Sequence, residues 1–344
     1  MINFDYLSLL VIMFSIASSY FVNLYIVSNN LFLSVPSNRD MHKKTVSSLG
    51  GISVFVSLII LLILYFSLET EFNLLAIVLS TIIIFSLGVF DDLYNLQKSF
   101  RIMIQYLASF ILLNFMFQFD YTQSLLYSAI FIYLINTYNF MDGIDCLAIN
   151  QYIFICVALA IHQPVESSLL FINPIYLSPI IIGFYFFNLS PARIFLGNSG
   201  SYLLGFLVSI FYIDAYENNY ISIYIILIIH SVFIVDTMFT LFIRFISHLS
   251  SINKLNSKYL SNIIKSLLYI TSPHKLHAYQ KICQLNSSHM KTSFGILLYN
   301  LFWLLPLSLL SAHNTNFSFI ILILAFLPYI SICIFYKAGV QKLD

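Results

Sequence analysis

The residues best suited to chemistry form short polar clusters at the ends of long apolar stretches. Asp91 and Asp92 close one such stretch, in LGVFDDLY. Two adjacent carboxylates repel each other unless a cation or a proton lies between them. Mg²⁺ is a usual remedy, because it takes one or two carboxylates and shares its other positions with phosphate oxygens. The pair therefore indicates metal-assisted chemistry on a phosphate; the alternative is a solvated helix end that carries acids by chance.

A second cluster places a polar residue at every third position of NTYNFMDGID. Its members are Asn136, Asn139, Asp142 and Asp145. Residues three apart lie about 60° apart around a helix, so the four are expected to form one polar stripe. Their amide and carboxylate oxygens suit Mg²⁺ and also the hydroxyl and N–H donors of a nucleoside. An ordinary helix cap would need only one of them.

Three further segments carry groups that favour phosphate. The Gly/Ser loop from Arg193 to Ser201 precedes an apolar stretch, so its backbone N–H groups and the helix dipole would attract anions. His274 and His277, in HKLHAYQ, could share a helix face. Zinc is conceivable there, but no Cys or carboxylate adjoins them to complete a site, so donation to phosphate fits better. Lys44 lies in a basic loop whose charges simple membrane anchoring would also explain.

These clusters must be positioned by a membrane-spanning scaffold. Hydrophobic residues make up 60% of the 344 residues and charged residues only 8%, too few to cover the surface of a soluble protein of this size. A spanning helix needs about 20 mostly apolar residues, and about eleven such stretches are present. They lie near 4–27, 51–68, 72–90, 102–119, 124–140, 147–162, 168–189, 201–216, 220–243, 294–311 and 317–336. The first lacks a positive n-region and a clean cleavage site and is expected to be a retained helix.

The charges set the predicted orientation. With this division all fifteen Lys and Arg residues fall on one side, and the connections on the other side carry only acids. The positive-inside rule makes the first side cytoplasmic, with the N-terminus outside and the C-terminus inside. The chemistry is therefore expected at the cytoplasmic membrane surface. The inner loops lie near 28–50, 91–101, 141–146, 190–200 and 244–293.

The overall composition excludes two other classes. The net charge of +1 gives no basic surface for nucleic acid. The four cysteines form no CxxC pair and no zinc spacing, so neither a disulfide framework nor a structural zinc site is indicated.

Five motifs in this order, over about residues 36–285, resemble the polyprenyl-phosphate N-acetylhexosamine-1-phosphate transferase family, also called glycosyltransferase family 4. The paired aspartates and the NxxNxxDGID run are specific to that family, and the glycine and basic loops are less so. HKLHAYQ is similar to the HxxHxYQ form of the branch that initiates O-antigen synthesis. The resemblance implies an all-α, multi-pass protein of the bacterial inner membrane, with 1–344 as a single transferase domain.

The implied reaction passes a sugar-1-phosphate from a UDP-N-acetylhexosamine to undecaprenyl phosphate and releases UMP. It would be the first membrane step of a surface glycan of the O-antigen type. Mg²⁺ or Mn²⁺ would be the cofactor, and the partners would be the two substrates and the lipid bilayer, with a homodimer left open and no nucleic acid.

The resemblance also implies a role for each motif residue. Asp91 would position or deprotonate the acceptor, and Asp92 and His274 would join it in catalysis. The metal would be held by Asp92, Asn139 and Asn198. The donor's uridine and sugar would contact Asp142 and Asp145, and the phosphates would contact Lys44, Arg193, His274 and His277.

Two positions depart from the family pattern. The family's glycine loop usually reads Gly-Asp-x-Gly-Ser, whereas this chain has Asn198, which removes one negative charge and should weaken metal binding. The proline usually found before the first glycine pair is replaced, with Ser47 and Ser48 nearby. A catalytically weak or inactive paralogue is therefore one alternative. A transporter of a lipid or nucleotide-linked sugar is a second, but it would need polar groups at the bilayer midplane.

Overall fold

The computed structural model describes residues 6–34, 45–66, 73–163, 174–253, 259–270, 272 and 274–340. Within these ranges the chain is helical almost throughout, apart from one antiparallel pair of two-residue strands, β1 (Leu33–Ser34) and β2 (Val46–Ser47). Four helical segments are long and apolar enough to cross a membrane. They are Leu75–Tyr94, Ser231–Ile252, His289–His313 and Thr315–Phe335. The prediction of an all-α membrane protein is confirmed.

The first of two compact units contains both strands and nine helices among its described residues. The helices are α1 (Tyr6–Ser28), α2 (Gly51–Phe66), α3 (Asn73–Tyr94), α4 (Lys98–Phe115), α5 (Tyr121–Met141), α6 (Leu147–His162), α7 (Pro174–Leu177), α8 (Pro179–Asn188) and α9 (Gly197–Glu217). Helix α9 is the core of this unit, because residues 199–215 are all buried. It packs against α2, α3, α5 and α6.

The start of α9 is fixed by backbone pairing with the segment before α2. The Phe195 nitrogen donates to the Ser47 carbonyl at 2.7 Å, and the Gly50 nitrogen donates to the Phe195 carbonyl at 2.9 Å. The Gly51 nitrogen then donates to the Leu196 carbonyl at 2.9 Å. The first residues of the glycine loop are therefore fixed by backbone hydrogen bonds to the segment that leads into α2.

The second unit contains the remaining helices of the described chain. They are α10 (Ile223–Ile229), α11 (Ser231–Asn253), α12 (Tyr259–Ile270), α13 (Ala278–Asn286), α14 (His289–Tyr299), α15 (Leu305–His313) and α16 (Ser318–Phe335). A π-helical turn, Asn300–Leu304, joins α14 to α15, and a 3₁₀ turn, Thr315–Phe317, precedes α16. Helix α11 packs against α12, α13 and α16, so this unit is built around α11.

Helices occupy every predicted apolar stretch, but two stretches are broken. Helices α7 and α8 replace one helix in 168–189, with Pro179 at the first position of α8, where its missing N–H is tolerated. Helices α10 and α11 divide the stretch 220–243 at His230. The number of membrane spans, their orientation and the single-domain assignment stay predictions.

The longest predicted inner loop, 244–293, is largely helical. Helix α11 continues to Asn253, and α12 and α13 follow. In α12, Asn262 and Ser266 lie four residues apart and are fully buried, while Leu268 on another face is 70% exposed. Polar residues that indicated a loop therefore form the packed face of a helix. Dividing the sequence into apolar stretches and polar loops could not predict this helix.

Candidate functional site

Asp91 is held in a buried ion pair where α3 ends. Its side chain is 2% exposed. Its Oδ2 accepts hydrogen bonds from Arg101 Nη1 and from the Tyr202 hydroxyl, both at 2.7 Å. Its Oδ1 accepts from the Leu96 nitrogen at 2.9 Å, and Arg101 Nη1 also donates to the Tyr202 hydroxyl at 3.1 Å. Helices α3, α4 and α9 therefore meet on this one carboxylate.

Asp92 anchors the first turn of α9. Its Oδ1 accepts a hydrogen bond from the Asn198 nitrogen at 2.8 Å, and its Oδ2 accepts from the Ser199 nitrogen at 3.0 Å. These N–H groups have no carbonyl partner within the helix, and a negative charge at a helix N-terminus is favourable. Two of the N–H groups that the sequence offered to phosphate are thus bound to the protein's own carboxylate.

Gly197 makes this close approach of Asp92 to α9 achievable. Its φ of +73° lies in the left-handed region that favours glycine. A Cβ atom at this position would lie 2.9 Å from Asp92 Oδ2 and would also collide with the Ser48 carbonyl. The glycine is therefore required both by the backbone conformation and by the space that Asp92 occupies.

The two asparagines of the polar stripe join α5 to its neighbours. Asn139 Nδ2 donates to Asn198 Oδ1 at 2.5 Å and to Ser201 Oγ at 3.2 Å. Asn136 Nδ2 donates to Gln105 Oε1, on α4, at 2.8 Å. Asn139 therefore belongs to the cluster at the start of α9, whereas Asn136 is a support between helices.

The prediction that all four stripe residues lie on one helix is wrong for the last two. Helix α5 ends at Met141, and Asp142 is its C-terminal cap. Burial, followed by the negative charges of Asp92 and Asp145, raises the pKa of Asp142 well above its usual range. No described residue donates a hydrogen bond to the Asp142 carboxylate. A bound cation would therefore reduce the repulsion between the Asp142 carboxylate and these neighbouring acids.

Asp145 lies in the turn after α5 and is 4% exposed. Its Oδ2 accepts a hydrogen bond from the Ala192 nitrogen at 3.2 Å. The turn that carries Asp142 and Asp145 is thereby tied to the loop that leads into α9.

Arg193 and Lys44 are the two residues of the first unit that are expected to contact phosphate, and the structure describes only Arg193. Arg193 is exposed, with its guanidinium 4.6 Å from the centroid of the Phe187 ring and its Nη2 donating to the Phe186 carbonyl at 3.3 Å. Its charge is thus held at the surface by the residues that end α8. Lys44 lies outside the described residues.

The two histidines lie in the second unit. His274 is half-buried, and its Nδ1 accepts a hydrogen bond from the Leu276 nitrogen at 3.4 Å. Burial, followed by the charges of His277 and Arg244, lowers the pKa of His274 to about 3. His277 is buried, with its ring centroid 4.9 Å from that of His274. Helix α13 begins at Ala278, so His277 is its N-cap and His274 lies before it. The two histidines therefore do not share a helix face, as their spacing would have allowed.

Sequence reasoning did not assign three residues that position these groups. Arg101 and Tyr202 hold Asp91, and Asp236 of α11 lies 3.0 Å from His277 Nδ1 through its Oδ1. The signal for Asp236 was its position within an apolar helix, since an acid there is costly without partners. Tyr202 gave no signal, because many other aromatic residues occur in comparable stretches.

The residues expected to bind a metal lie together at the start of α9. Asn198 contacts Asp92 through its backbone and Asn139 through its side chain. Across the described part of the chain, no group of three or more His, Cys, Asp or Glu side chains is arranged to hold a metal ion. The donors available are therefore one or two carboxylates, with amide oxygens. Mg²⁺ accepts such a set when substrate phosphates complete its coordination, so these residues fit it.

Comparison with known proteins supports the same interpretation. Residues 74–216 match the sequence model of glycosyl transferase family 4. A probable undecaprenyl-phosphate N-acetylglucosaminyl 1-phosphate transferase of Bacillus subtilis is 29% identical over 224 residues, which are 59% of this chain and 62% of the relative. An undecaprenyl-phosphate alpha-N-acetylglucosaminyl 1-phosphate transferase of Thermotoga maritima is 31% identical over 179 residues, 51% of this chain and 54% of the relative. A decaprenyl-phosphate N-acetylglucosaminephosphotransferase of Mycobacterium leprae is 23% identical over 209 residues, 52% of each chain.

The resemblance to glycosyl transferase family 4 that the motifs predicted is confirmed over residues 74–216. The matched segment runs from the start of α3 to the end of α9 and contains the aspartate pair, the polar stripe and the glycine loop. The histidine motif lies outside that segment. The chain spans less than two thirds of the length of the first two relatives.

Proposed function

We propose that this protein transfers a sugar-1-phosphate from a UDP-N-acetylhexosamine to a polyprenyl phosphate such as undecaprenyl phosphate, with release of UMP. The observation that carries the proposal is the cluster at the start of α9. There Asp92 from α3, Asn139 from α5 and Asn198 from α9 are joined by direct hydrogen bonds. The relatives are named for this class of reaction.

In this reaction one P–O bond forms and one breaks. An oxygen of the acceptor phosphate attacks the β-phosphorus of the UDP-sugar, and the bond from that phosphorus to the bridging oxygen breaks. The products are the polyprenyl diphosphate sugar and UMP. The second pKa of a phosphate monoester is about 6, so the acceptor is already largely ionised at neutral pH and requires no strong general base.

The state of Asp91 agrees with that conclusion. Both of its oxygens already accept hydrogen bonds, and Arg101 neutralises its charge. In the proposed reaction Asp91 therefore acts by positioning. It holds Arg101 and the start of α4 against α9, and this fixes the neighbouring Asp92.

The remaining residues of the motifs would bind the two substrates, through their phosphates or through the uridine and sugar of the donor. Arg193, at the surface, would contact phosphate oxygens with its planar fork, and Asp142 and Asp145 would contact the uridine and sugar of the donor. His274, as a neutral ring with its Nδ1 accepting from Leu276, would offer its Nε2–H to phosphate. Lys44 keeps the phosphate-binding role that its motif implies.

Mg²⁺ or Mn²⁺ would be held by Asp92, Asn139 and Asn198. When bound, it would supply positive charge that reduces the repulsion between the acceptor and the diphosphate. The protein's own contribution is to fix those oxygens through the hydrogen bonds of the α9 cluster.

The finer parts of the proposal follow from charge distribution and motif form. About eleven spans with all Lys and Arg on one side would direct the site to the cytoplasm, with the N-terminus outside. The HxxHxYQ form of the histidine motif favours a glycan of the O-antigen type in the bacterial inner membrane.

Asn198 supports a second candidate, a catalytically weak or inactive member of the family. With an amide in place of a carboxylate, the expected metal ligands carry one negative charge fewer. Metal affinity and rate would both fall, while donor binding would persist.

The test is UMP release by purified full-length protein given undecaprenyl phosphate and a panel of UDP-N-acetylhexosamines, with and without Mg²⁺ or Mn²⁺. We expect release that depends on acceptor and on metal with one donor, and its loss in Asp92→Asn. Asp214→Asn is a matched control, because Asp214 is also a buried acid but bonds to Asn218 outside the cluster. Folded protein that binds a UDP-sugar and releases no UMP would favour the inactive paralogue, and folded protein that binds none would overturn the proposal.

A further inference from the structure

The chain turns sharply where α16 ends, and the residues that follow pack on the second unit. These residues, 336–340, are called the α16 tail below. Lys337 has a φ of +52°. The Ala338 nitrogen donates to the Cys333 carbonyl at 2.8 Å, and the Lys337 nitrogen donates to the Ile334 carbonyl at 3.0 Å. This pair of bonds is a Schellman motif, which ends a helix and satisfies its last carbonyls. The direction of the tail is therefore fixed by local hydrogen bonds.

The tail lies directly against α11 at Gly339. This glycine is buried, and its φ of +78° lies in the left-handed region that favours glycine. A Cβ atom at this position would lie 2.7 Å from the Thr240 carbonyl oxygen and 2.8 Å from Ile243 Cβ. Ala338, the preceding residue, is fully buried. The tail is therefore a packed part of this unit, and its contact with α11 requires a glycine.

Gly339 also binds the histidine motif through its backbone. Its nitrogen donates to the Leu276 carbonyl at 2.9 Å. Leu276 directly precedes His277, and its own nitrogen donates to His274 Nδ1 at 3.4 Å. A single residue, Leu276, therefore connects the His274 ring to the tail.

Lys281 of α13 holds the tail at a second place. Its Nζ donates to the Lys337 carbonyl at 2.5 Å and to the Val340 carbonyl at 2.9 Å. A cation is favourable just beyond the end of a helix, because the negative end of the helix dipole lies there. Lys281 lies one turn after His277, whose carbonyl accepts from the Lys281 nitrogen at 3.1 Å. The tail is thus bound both to the loop before α13 and to α13 itself.

The two histidines depend on the tail to different degrees. Asp236 accepts hydrogen bonds from the first two nitrogens of α13, at 2.9 and 3.0 Å. The start of α13, and with it His277, therefore has its own anchor on α11. His274 precedes the helix, and the hydrogen bond to its Nδ1 comes from Leu276, whose carbonyl is held by the tail. Displacement of the tail should therefore affect His274 first.

We infer that the α16 tail positions His274, and that Lys281 is the positioning residue that keeps the tail in place. In the proposed reaction His274 contacts phosphate, so a displaced His274 ring would lower turnover. The inference rests on the proposed function only for this effect on turnover. The connection between the tail and the histidine motif can be measured without substrate.

The first test is hydrogen–deuterium exchange of the full-length protein in detergent, without substrate, followed by mass spectrometry. Lys281→Met removes the charged donor and keeps a long unbranched side chain. We expect faster exchange in the peptides that cover residues 336–340 and 274–277, and unchanged exchange in α14. Lys281→Arg can donate to the same two carbonyls and should restore slow exchange in both peptides.

Gly339→Ala displaces the tail by steric conflict and leaves Lys281 intact, so it should give faster exchange in the same two peptides. Faster exchange in the tail alone would show that the histidine motif does not depend on it, and would overturn the inference. Unchanged exchange in both peptides of Lys281→Met would show that Lys281 does not hold the tail. Faster exchange throughout the second unit would assign Lys281 a general structural role, and would equally overturn its role as a positioning residue.

The second test is a double-mutant cycle on UMP release with Lys281→Met, His274→Gln and the double variant. Coupled residues deviate from additivity by about twofold to about 150-fold in rate, and we expect Lys281→Met to lower kcat/KM by on the order of tenfold. In the His274→Gln background the same change should have almost no further effect. An equal effect in both backgrounds would mean that Lys281 does not act through His274, and would overturn the inference.

Lys291→Met is the matched control, because Lys291 is exposed in α14 and its loss changes the net charge by the same amount. We expect exchange and UMP release like those of the wild type. If Lys291→Met lowered kcat/KM as much as Lys281→Met, the loss would follow from net charge and the inference would be wrong. Wild-type protein that releases no UMP would count against the proposed function, whereas the exchange measurement would still decide whether the tail holds the histidine motif.

Discussion

The carboxylate of Asp92 lies 2.8 Å from the backbone nitrogen of Asn198, and this hydrogen bond joins two motifs that are 106 residues apart in sequence. The side chain of Asn198 has a different partner, because its Oδ1 accepts a hydrogen bond from Asn139 Nδ2 at 2.5 Å. One residue therefore connects α3, α5 and α9. Because its backbone and side chain serve different partners, a substitution at position 198 can change the chemistry of the cluster without removing its anchor on Asp92.

Asn198→Asp is expected to raise activity and to lower the Mg²⁺ concentration required for half-maximal UMP release. The carboxylate still accepts from Asn139 Nδ2 and adds a negative charge for the metal. The backbone bond to Asp92 does not depend on the side chain. The measurement is a Mg²⁺ titration of initial rate for both proteins, at one fixed concentration of each substrate.

Asn198→Leu provides the matched control for this titration. It keeps the backbone bond to Asp92 and removes the side-chain oxygen, so it should require more Mg²⁺ than the wild type. If Asn198→Asp and Asn198→Leu shift the titration in the same direction, then the residue at 198 does not act through the metal.

Asp91→Asn is expected to abolish transfer and also to lower the free energy of unfolding. The substitution leaves the Arg101 guanidinium, whose side chain is 23% exposed, without its counter-ion. Loss of a hydrogen bond to a charged group costs about 1.5–3 kcal/mol. Tyr202→Phe removes one of the two donors to Oδ2 but keeps the ion pair, so it should lower the melting temperature less and retain measurable turnover.

Both quantities can be measured on the same detergent-solubilised samples, by thermal melting and by UMP release. Full activity in folded Asp91→Asn would remove any role for this carboxylate in positioning. Complete loss in Tyr202→Phe at an unchanged melting temperature would instead assign the tyrosine hydroxyl a direct part in the reaction.

The pKa of His274 predicts how stability depends on pH. The pKa is lowered from 6.5 to about 3 in the folded protein, so between these values the unfolded chain binds more protons at this site. Stability must then fall as the pH drops from about 6.5 toward 3. His274→Gln removes this contribution and should flatten the dependence, measured as melting temperature against pH.

His313→Gln is the control for that experiment, because His313 is an exposed histidine at the end of α15. We expect its melting temperature to follow the wild-type curve. A His274→Gln curve as steep as that of the wild type would show that His274 is not held neutral.

Much of this site followed from residue type and spacing. The aspartate pair, the asparagines and the glycine loop were assigned from the sequence, and the structure brings Asp92, Asn139 and Asn198 together. The end of α5 at Met141 could not be predicted from a spacing of three, because that spacing continues unchanged through Asp145. The partners Arg101, Tyr202 and Asp236 depend on which helices pack together, which no local pattern contains.

The last prediction concerns the close packing of α3 on the first turn of α9. It tests whether this steric contact, and not only the charge of Asp92, holds the cluster together. A Cβ atom at Gly88 would lie 2.7 Å from the Ser199 nitrogen and 2.8 Å from the Asn198 carbonyl oxygen. These are backbone atoms, so Gly88→Ala must push α3 and α9 apart and lengthen the bonds from Asp92. Forced overpacking of this kind costs about 1–3 kcal/mol, and we expect a lower melting temperature together with a large loss of UMP release.

Gly295→Ala is the matched substitution, since Gly295 also lies in a helix but has no atom within 4 Å of the added Cβ. Because alanine is a better helix former than glycine by about 1 kcal/mol, this variant should be as stable as the wild type or slightly more so. Its UMP release should be unchanged. If Gly88→Ala matched Gly295→Ala in both melting temperature and rate, the contact between α3 and the first turn of α9 would not be what holds Asp92 in place.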